Sequence, residues 1–379
     1  MRMPSSAQKQ IPAGMIDLGI GQPSPWLLPV EAIEKSSADH ARRRDPRLLA
    51  YGFEQGDGGF RNALARMLEP IYGAAVDPDH LLVTNGASQA IDLVCTLFTT
   101  AGDVIFVEEP TYFLARKIFA DHRLKPVALP MDGDGLSIEA LEAELKRTHP
   151  AFLYTIPTYH NPSSTSLSAA RRLQLAELSR RYELLVVADE VYHPLSYASA
   201  PPPPMAGFSL TANIISLGSF SKILAPGLRL GWLQASPAII ERMVHCGLLD
   251  SGGGLNPFTS GVVCSAIELG LLAEHLALLR RTYSERLAAM CAALREQLSG
   301  RIAFQQPEGG FFIWVKMPEG TDTRELLRRA RAKQVEFMPG PSFSSRQGLK
   351  NHLRLSFAFY DTPDLIQGVE RLSGVICRD

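Results

Sequence analysis

Lys222 stands between hydroxyls in Ser219-Phe220-Ser221-Lys222, and Arg229 follows seven residues on, in Pro226-Gly227-Leu228-Arg229-Leu230-Gly231. A lysine amine becomes a covalent catalyst when a carbonyl cofactor captures it as a Schiff base. Hydroxyls and a guanidinium beside it suit a phosphate, through hydrogen bonds and a fixed cationic fork. The set points to pyridoxal 5′-phosphate (PLP), an aldehyde that carries a phosphate. A surface lysine near a loop is the plain alternative, and three upstream segments weigh against it.

The first is Leu184-Leu185-Val186-Val187-Ala188-Asp189-Glu190-Val191-Tyr192. An apolar run ending in a carboxylate reads as a buried parallel strand with Asp189 at its C-terminal end, where open α/β sheets gather their ligands. PLP is an electron sink only while its pyridine nitrogen stays protonated, and an acidic partner such as Asp189 holds it so. Tyr192 is placed to approach the ring's phenolic oxygen. A helix cap is the other reading of Asp189. The second segment, Ile156-Pro157-Thr158-Tyr159-His160-Asn161-Pro162-Ser163-Ser164-Thr165, follows the strand-like run 152–156. It offers the Asn161 amide to the phenolate, although Asn-Pro is also a common turn dipeptide. The third, Thr84-Asn85-Gly86-Ala87-Ser88-Gln89, lies between a short strand and a helical pattern. A helix N-terminus is an anion site, which makes Ala87 and Ser88 phosphate contacts; an ordinary strand-to-helix turn is the alternative.

In this order the segments resemble the fold-type I PLP enzymes, specifically the class I/II aminotransferases, from about Ile16 to Phe359. The resemblance implies that Tyr112, in Glu109-Pro110-Thr111-Tyr112, stacks on the cofactor ring. It puts Asn161, Asp189, Tyr192, Ser219, Ser221, Lys222 and Arg229 on the phenolate, pyridinium, phosphate and Schiff-base positions. Tyr51, before Gly52, Gly56 and Gly59, resembles the tyrosine that reaches the neighbouring subunit's phosphate, which implies a homodimer with shared sites. Arg354, in Asn351-His352-Leu353-Arg354-Leu355-Ser356-Phe357, matches the arginine that grips the substrate α-carboxylate, and Gly21 matches a glycine near the substrate. One departure is Ser163-Ser164-Thr165, where the family often has glycine soon after the Asn-Pro.

Strand-like runs alternate with helical patterns such as Ile138–Lys146 and Ala169–Arg181, as in a mainly parallel sheet with helices on both faces. The fold expected is therefore α/β, and the resemblance implies a seven-stranded-type sheet with a smaller discontinuous α+β domain. The large domain is expected at 31–280, and the small one at 1–30 plus 281–379, the N-terminal part by resemblance. A long helical pattern at Leu271–Leu298 connects them, and the proline-rich stretch 199–204 reads as a stiff surface loop. The chain has 379 residues and a formal net charge of −1, so charge gives no reason to expect nucleic acid or an anionic membrane. Arginine pairs such as Arg171-Arg172, Arg280-Arg281 and Arg328-Arg329, with Arg42-Arg43-Arg44, read as solvated helix faces. Five scattered cysteines without C-x-x-C suit a reducing cytoplasm, and no histidine spacing suggests a metal. Residues 1–12 are polar and no signal or membrane span is visible.

The activity expected is a ping-pong transfer of an amino group between an α-amino acid and a 2-oxo acid. Lys222 would release the cofactor and then move the Cα proton. Two other readings stay open: a β-eliminating C–S lyase on the same scaffold, and the aminotransferase-like sensory domain of a transcription regulator. The short stretch before Ile16 argues against the regulator.

Overall fold

The structure, a computed structural model, describes residues 10–377. Residues 1–9 and 378–379, the outermost parts of the expected small domain, lie outside the described residues. In chain order the strands are β1 (Ile16–Asp17), β2 (Leu81–Thr84), β3 (Val104–Glu109), β4 (Lys125–Asp132), β5 (Gly135–Leu136), β6 (Leu153–Thr155) and β7 (Val186–Asp189). They continue as β8 (Ile214–Ser219), β9 (Gly231–Gln234), β10 (Ala303–Phe304), β11 (Phe312–Lys316), β12 (Val335–Glu336), β13 (Met338–Pro339) and β14 (His352–Ser356).

The large sheet has the order β2-β9-β8-β7-β6-β3-β4-β5. Strands β8, β7, β6, β3 and β4 run parallel, β9 is antiparallel to both β2 and β8, and β5 closes a hairpin on β4. Every residue of β2, β6, β7, β8 and β9 is buried, as expected for strands covered on both faces. Alternate residues feed two cores. Val187, Ile215 and Tyr154 pack under the helices Ala87–Phe98 and Phe113–Asp121, while Val186, Ala188 and Leu153 pack under Ile138–Leu145 and Ala169–Arg181. One close approach fixes the antiparallel insertion. Gly218 of β8 lies directly under the Trp232 indole of β9, where any Cβ would overlap the ring.

The 28-residue helix Leu271–Leu298 leads into an antiparallel sheet, β10-β11-β14-β13. The chain's start returns to this region: β1 pairs in parallel with β12, and Ser356 N–H donates to the Leu18 carbonyl at the end of β14. Because β2, β3, β6, β7 and β8 all point the same way, their C-terminal ends open on one edge, facing β14. The segments that carry Ala87, Tyr112, Asn161, Asp189 and Lys222 meet at that edge.

The arginine pairs divide. Arg42, Arg43, Arg328 and Arg329 are exposed, but Arg172 is fully buried and Arg280 half-buried with its Nε donating 2.8 Å to the Pro194 carbonyl. The solvated-face reading fails for Arg172. It sits on the core-facing stripe of Ala169–Arg181 with Leu175, Ala176 and Ser179, and backbone carbonyls stand where solvent was expected.

Candidate active site

Lys222 follows β8, and its Nζ donates 3.2 Å to the Gly21 carbonyl, above the rings of Tyr192 and Phe311 at 5.9 and 5.7 Å. Loss of hydration brings the amine down to about 8. Asp189 opposes the shift, and the Arg354 and Arg229 charges assist it. Asp189 ends β7, and no helix follows it, so it is not a helix cap. Its Oδ2 accepts from the Tyr154 hydroxyl at 2.7 Å and its Oδ1 from the Val191 N–H at 3.5 Å. Burial raises its pKa, against those two hydrogen bonds and Lys222. Among the described residues it has no cation within ion-pair range.

Arg354 projects from β14 into the same space. Its Nη1 donates 2.7 Å to Asn161 Oδ1 and its Nη2 2.7 Å to the Gly19 carbonyl. The guanidinium lies 3.9 Å from the Phe312 ring centroid and 5.0 Å from that of Phe343. Burial lowers its pKa to about 10, so it keeps its charge at neutral pH. Gly21 abuts this pair: a Cβ there would come within 2.9 Å of Phe312.

A second cluster forms beside it. Gly86 caps the helix Ala87–Phe98 at φ 87° and ψ 169°, a conformation open to glycine. Arg229 takes φ 49°, and its Nη2 donates 3.1 Å to the Asn85 carbonyl, leaving the guanidinium over the helix start. An open cleft of about 740 Å³ is lined here by Asn85, Ser88, Gln89, Arg229 and Asn256. Ser219 is buried at the end of β8, and its Oγ accepts from Ser221 N–H at 3.1 Å. Tyr112 precedes the helix Phe113–Asp121, and burial near Asp189 pushes its phenol up to about 12. Tyr192 is buried edge-on against Phe311 and Phe312. Tyr51 stands apart, 87% exposed.

The serines that replace the family's usual glycine form a satisfied turn. Ser164 adopts φ 62° and donates 2.6 Å to the Phe312 carbonyl, while Ser163 N–H and Oγ meet His160 Nδ1 at 3.2 and 2.9 Å. Sequence reading passed over Tyr154 and Phe312 as site residues. The signal for Tyr154 is a phenol inside a wholly buried strand, which needs a polar partner.

The residues present fit PLP. A buried carboxylate without a cation suits a protonated ring nitrogen, and a glycine-floored helix start under a guanidinium suits a phosphate. The Arg354 Nε is buried with no hydrogen-bond partner among the described residues, a donor that a bound carboxylate would satisfy.

A parallel sheet whose strand ends bring this set together defines a fold-type I PLP enzyme. The family described as aminotransferase class I and II matches residues 13–372, and the chain belongs to that family. Aromatic-amino-acid aminotransferase 1 of Thermococcus litoralis is 33% identical over 367 residues, 96% of this chain and 88% of the relative. The crystal structure of Pyrococcus horikoshii kynurenine aminotransferase in complex with PMP superposes with TM-score 0.90 and 33% identity, covering 97% of this chain and 92% of that one. The uncharacterized HTH-type transcriptional regulator YisV of Bacillus subtilis is 30% identical over 96% of this chain and 74% of its own length. The chain is a PLP-dependent aminotransferase that acts on amino acids and 2-oxo acids.

Proposed function

We propose that Lys222 is the lysine that PLP links to and the base of the transfer, with Asp189 and Arg354 as its principal partners. The observation that carries this reading is the convergence of an amine lowered to about 8, a buried carboxylate and a buried guanidinium in one cleft. Bound there, PLP supplies an electron sink for the pair left when the Cα proton departs. Lys222 Nζ takes up that proton and hands it back, a task suited to an amine that is partly neutral at working pH. The Asp189 carboxylate holds the ring nitrogen protonated, with Tyr154 fixing its Oδ2. Since Arg354 occupies Asn161 Oδ1, the Asn161 amide N–H groups are left to donate to the phenolic oxygen, beside Tyr192. Tyr112 packs on the ring face. Ala87 and Ser88 N–H groups, Ser219, Ser221 and Arg229 hold the phosphate. Arg354 fixes the α-carboxylate, and Gly21 keeps that approach clear.

The large domain is proposed as 31–280 and the small one as 1–30 with 281–379; the β1–β12 pairing supports joining the two ends. A homodimer is proposed, with Tyr51 reaching the partner's phosphate, supported by the exposure of Leu49, Tyr51 and Phe53. Free cysteines support a cytoplasmic location, with neither nucleic acid nor membrane as a partner. Among the described residues no single helix is long and apolar enough to cross a membrane.

The side chain of the donor is best sought among aromatic amino acids, kynurenine included, as the Thermococcus and Pyrococcus relatives' names suggest. A panel of donors with 2-oxoglutarate as acceptor tests this: an aromatic donor should give its 2-oxo acid and no ammonia. Release of ammonia with pyruvate would make the protein a β-eliminating lyase instead.

A further inference from the structure

The loop 157–167, which presents Asn161, is closed at its neck by the buried Arg172. Its Nη2 donates 2.6 Å to the Pro157 carbonyl and 2.9 Å to Thr158 Oγ1 on one side, and its Nε donates 2.9 Å to the Leu167 carbonyl on the other. The Leu167 N–H donates 2.9 Å to the Pro157 carbonyl, so the two arms meet under the guanidinium. The remaining Nη1 reaches the Pro203 carbonyl at 3.1 Å and Glu190 Oε1 at 3.5 Å. Glu190 follows Asp189 directly, and it is itself fixed by Ser216 Oγ at 2.7 Å and the Met205 and Ala206 N–H groups at 2.9 and 3.2 Å. One side chain, 1% exposed, therefore ties the loop of Asn161 to the turn after Asp189.

A guanidinium has five donors in a rigid plane, and here every nitrogen has a partner. Placing it in the interior costs hydration, and burial does lower its pKa against the pull of Glu190. Closing a loop neck in the core does not require a cation; apolar packing with the existing backbone bond would do so. A charged fork that spans three carbonyls and a carboxylate holds two segments in fixed register.

We propose that Arg172 is a positioning residue for the amino-transfer site, acting through Asn161 and, by way of Glu190, through Asp189. The proposal rests on the cofactor contacts assigned above to those two residues. A lysine at 172 retains charge but cannot reach both arms of the neck. Asn161 would then lose its register against Arg354, and a shift of about 1 Å at a reacting centre is enough for a hundredfold loss.

The test compares R172K, N161A and R172K/N161A, with R172M/E190Q as the variant that removes both buried charges together. The equilibrium dissociation constant for PLP, read by absorbance on the folded protein, is measured beside kcat and KM. R172K is expected to weaken PLP binding about tenfold and to lower kcat/KM about a hundredfold, with KM for the amino donor rising. R172M/E190Q should do the same if R172K does not fold. In the N161A background R172K should lower kcat/KM by no more than about tenfold, because the route through Asn161 is already lost and only the one through Glu190 and Asp189 remains. Unchanged PLP affinity and kinetics in R172K, or a full hundredfold loss when Asn161 is absent, would overturn the proposal. N161A alone reports on the Asn161 assignment, so failure of that reading is seen separately.

Discussion

In the proposed mechanism the chemistry turns on the protonation of Lys222. Burial brings the amine down to about 8, with Arg354 and Arg229 facing it as cations and Asp189 as the opposing anion. In the apo protein, the rate at which Lys222 reacts with an amine-directed acylating reagent should rise with the neutral fraction, half-maximal near pH 8. An ordinary lysine would titrate near 10.4. Mass spectrometry of the labelled peptide checks it, and a midpoint above 10 would show the amine to be solvated. Replacing Arg354 by methionine removes a facing cation and should move the midpoint upward. The linked effect on stability has a definite sign. Between pH 8 and about 10.5 the unfolded chain binds more protons than the folded one at this group, so its contribution to apo stability rises with pH across that window. His193 behaves alike at lower pH. Burial holds it to about 4, and stability from this group falls as the pH drops from about 6.5 towards 4.

Elements decide where those residues meet, and the sequence revealed them unevenly. The parallel strands β3, β6, β7 and β8 were legible because both faces are buried, which leaves continuous apolar runs ending in polar residues. The helix Leu271–Leu298 was legible through its length. Strand β9 was not read, since Gly231 and a single Trp232 give no alternation, and its place between β2 and β8 depends on the Gly218–Trp232 contact across the sheet. Strand β4 carries Pro126 and Pro130, which mask it. Arg172 was misread because a charged residue on a helix is ordinarily solvated, and its carbonyl partners come from loops far away in sequence. The phosphate cradle yields a prediction at this scale. Gly86→Ala would force an L side chain into φ 87° and place its Cβ 3.1 Å from Arg229 Nη2. Roughly 1–3 kcal/mol of strain is expected, with PLP affinity reduced about tenfold or more. Gly73→Ala is the control: φ is 68° but the space around it is open, so thermal stability should fall while PLP affinity holds.

For the whole molecule, the proposed shared site implies a second copy. Leu49, Tyr51 and Phe53 are 81%, 87% and 71% exposed in the single chain, and a cleft of about 320 Å³ lies beside them between Gly52, Gly252, Gly254 and Pro257. Apolar surface of this kind marks interaction sites. If Tyr51 donates to the partner's phosphate, Tyr51→Phe removes one hydrogen bond to a charged acceptor, about 1.5–3 kcal/mol, and PLP retention should weaken about ten- to a hundredfold. Mixing inactive Lys222→Ala with inactive Tyr51→Ala subunits should restore part of the activity, since one site of the heterodimer holds both residues. A fully active monomer in sedimentation would contradict the shared site. The near-neutral net charge of −1 offers no long-range steering, so on the proposed assignment substrate capture rests on the buried Arg354.

Reducing the holoprotein with borohydride and mapping the modified peptide shows whether Lys222 carries the cofactor. The account predicts one phosphopyridoxyl group per chain, on Lys222, and none after prior conversion of the enzyme by an amino donor, when the lysine has been released. A label on any other lysine, or a label that the amino donor leaves undiminished, would contradict it.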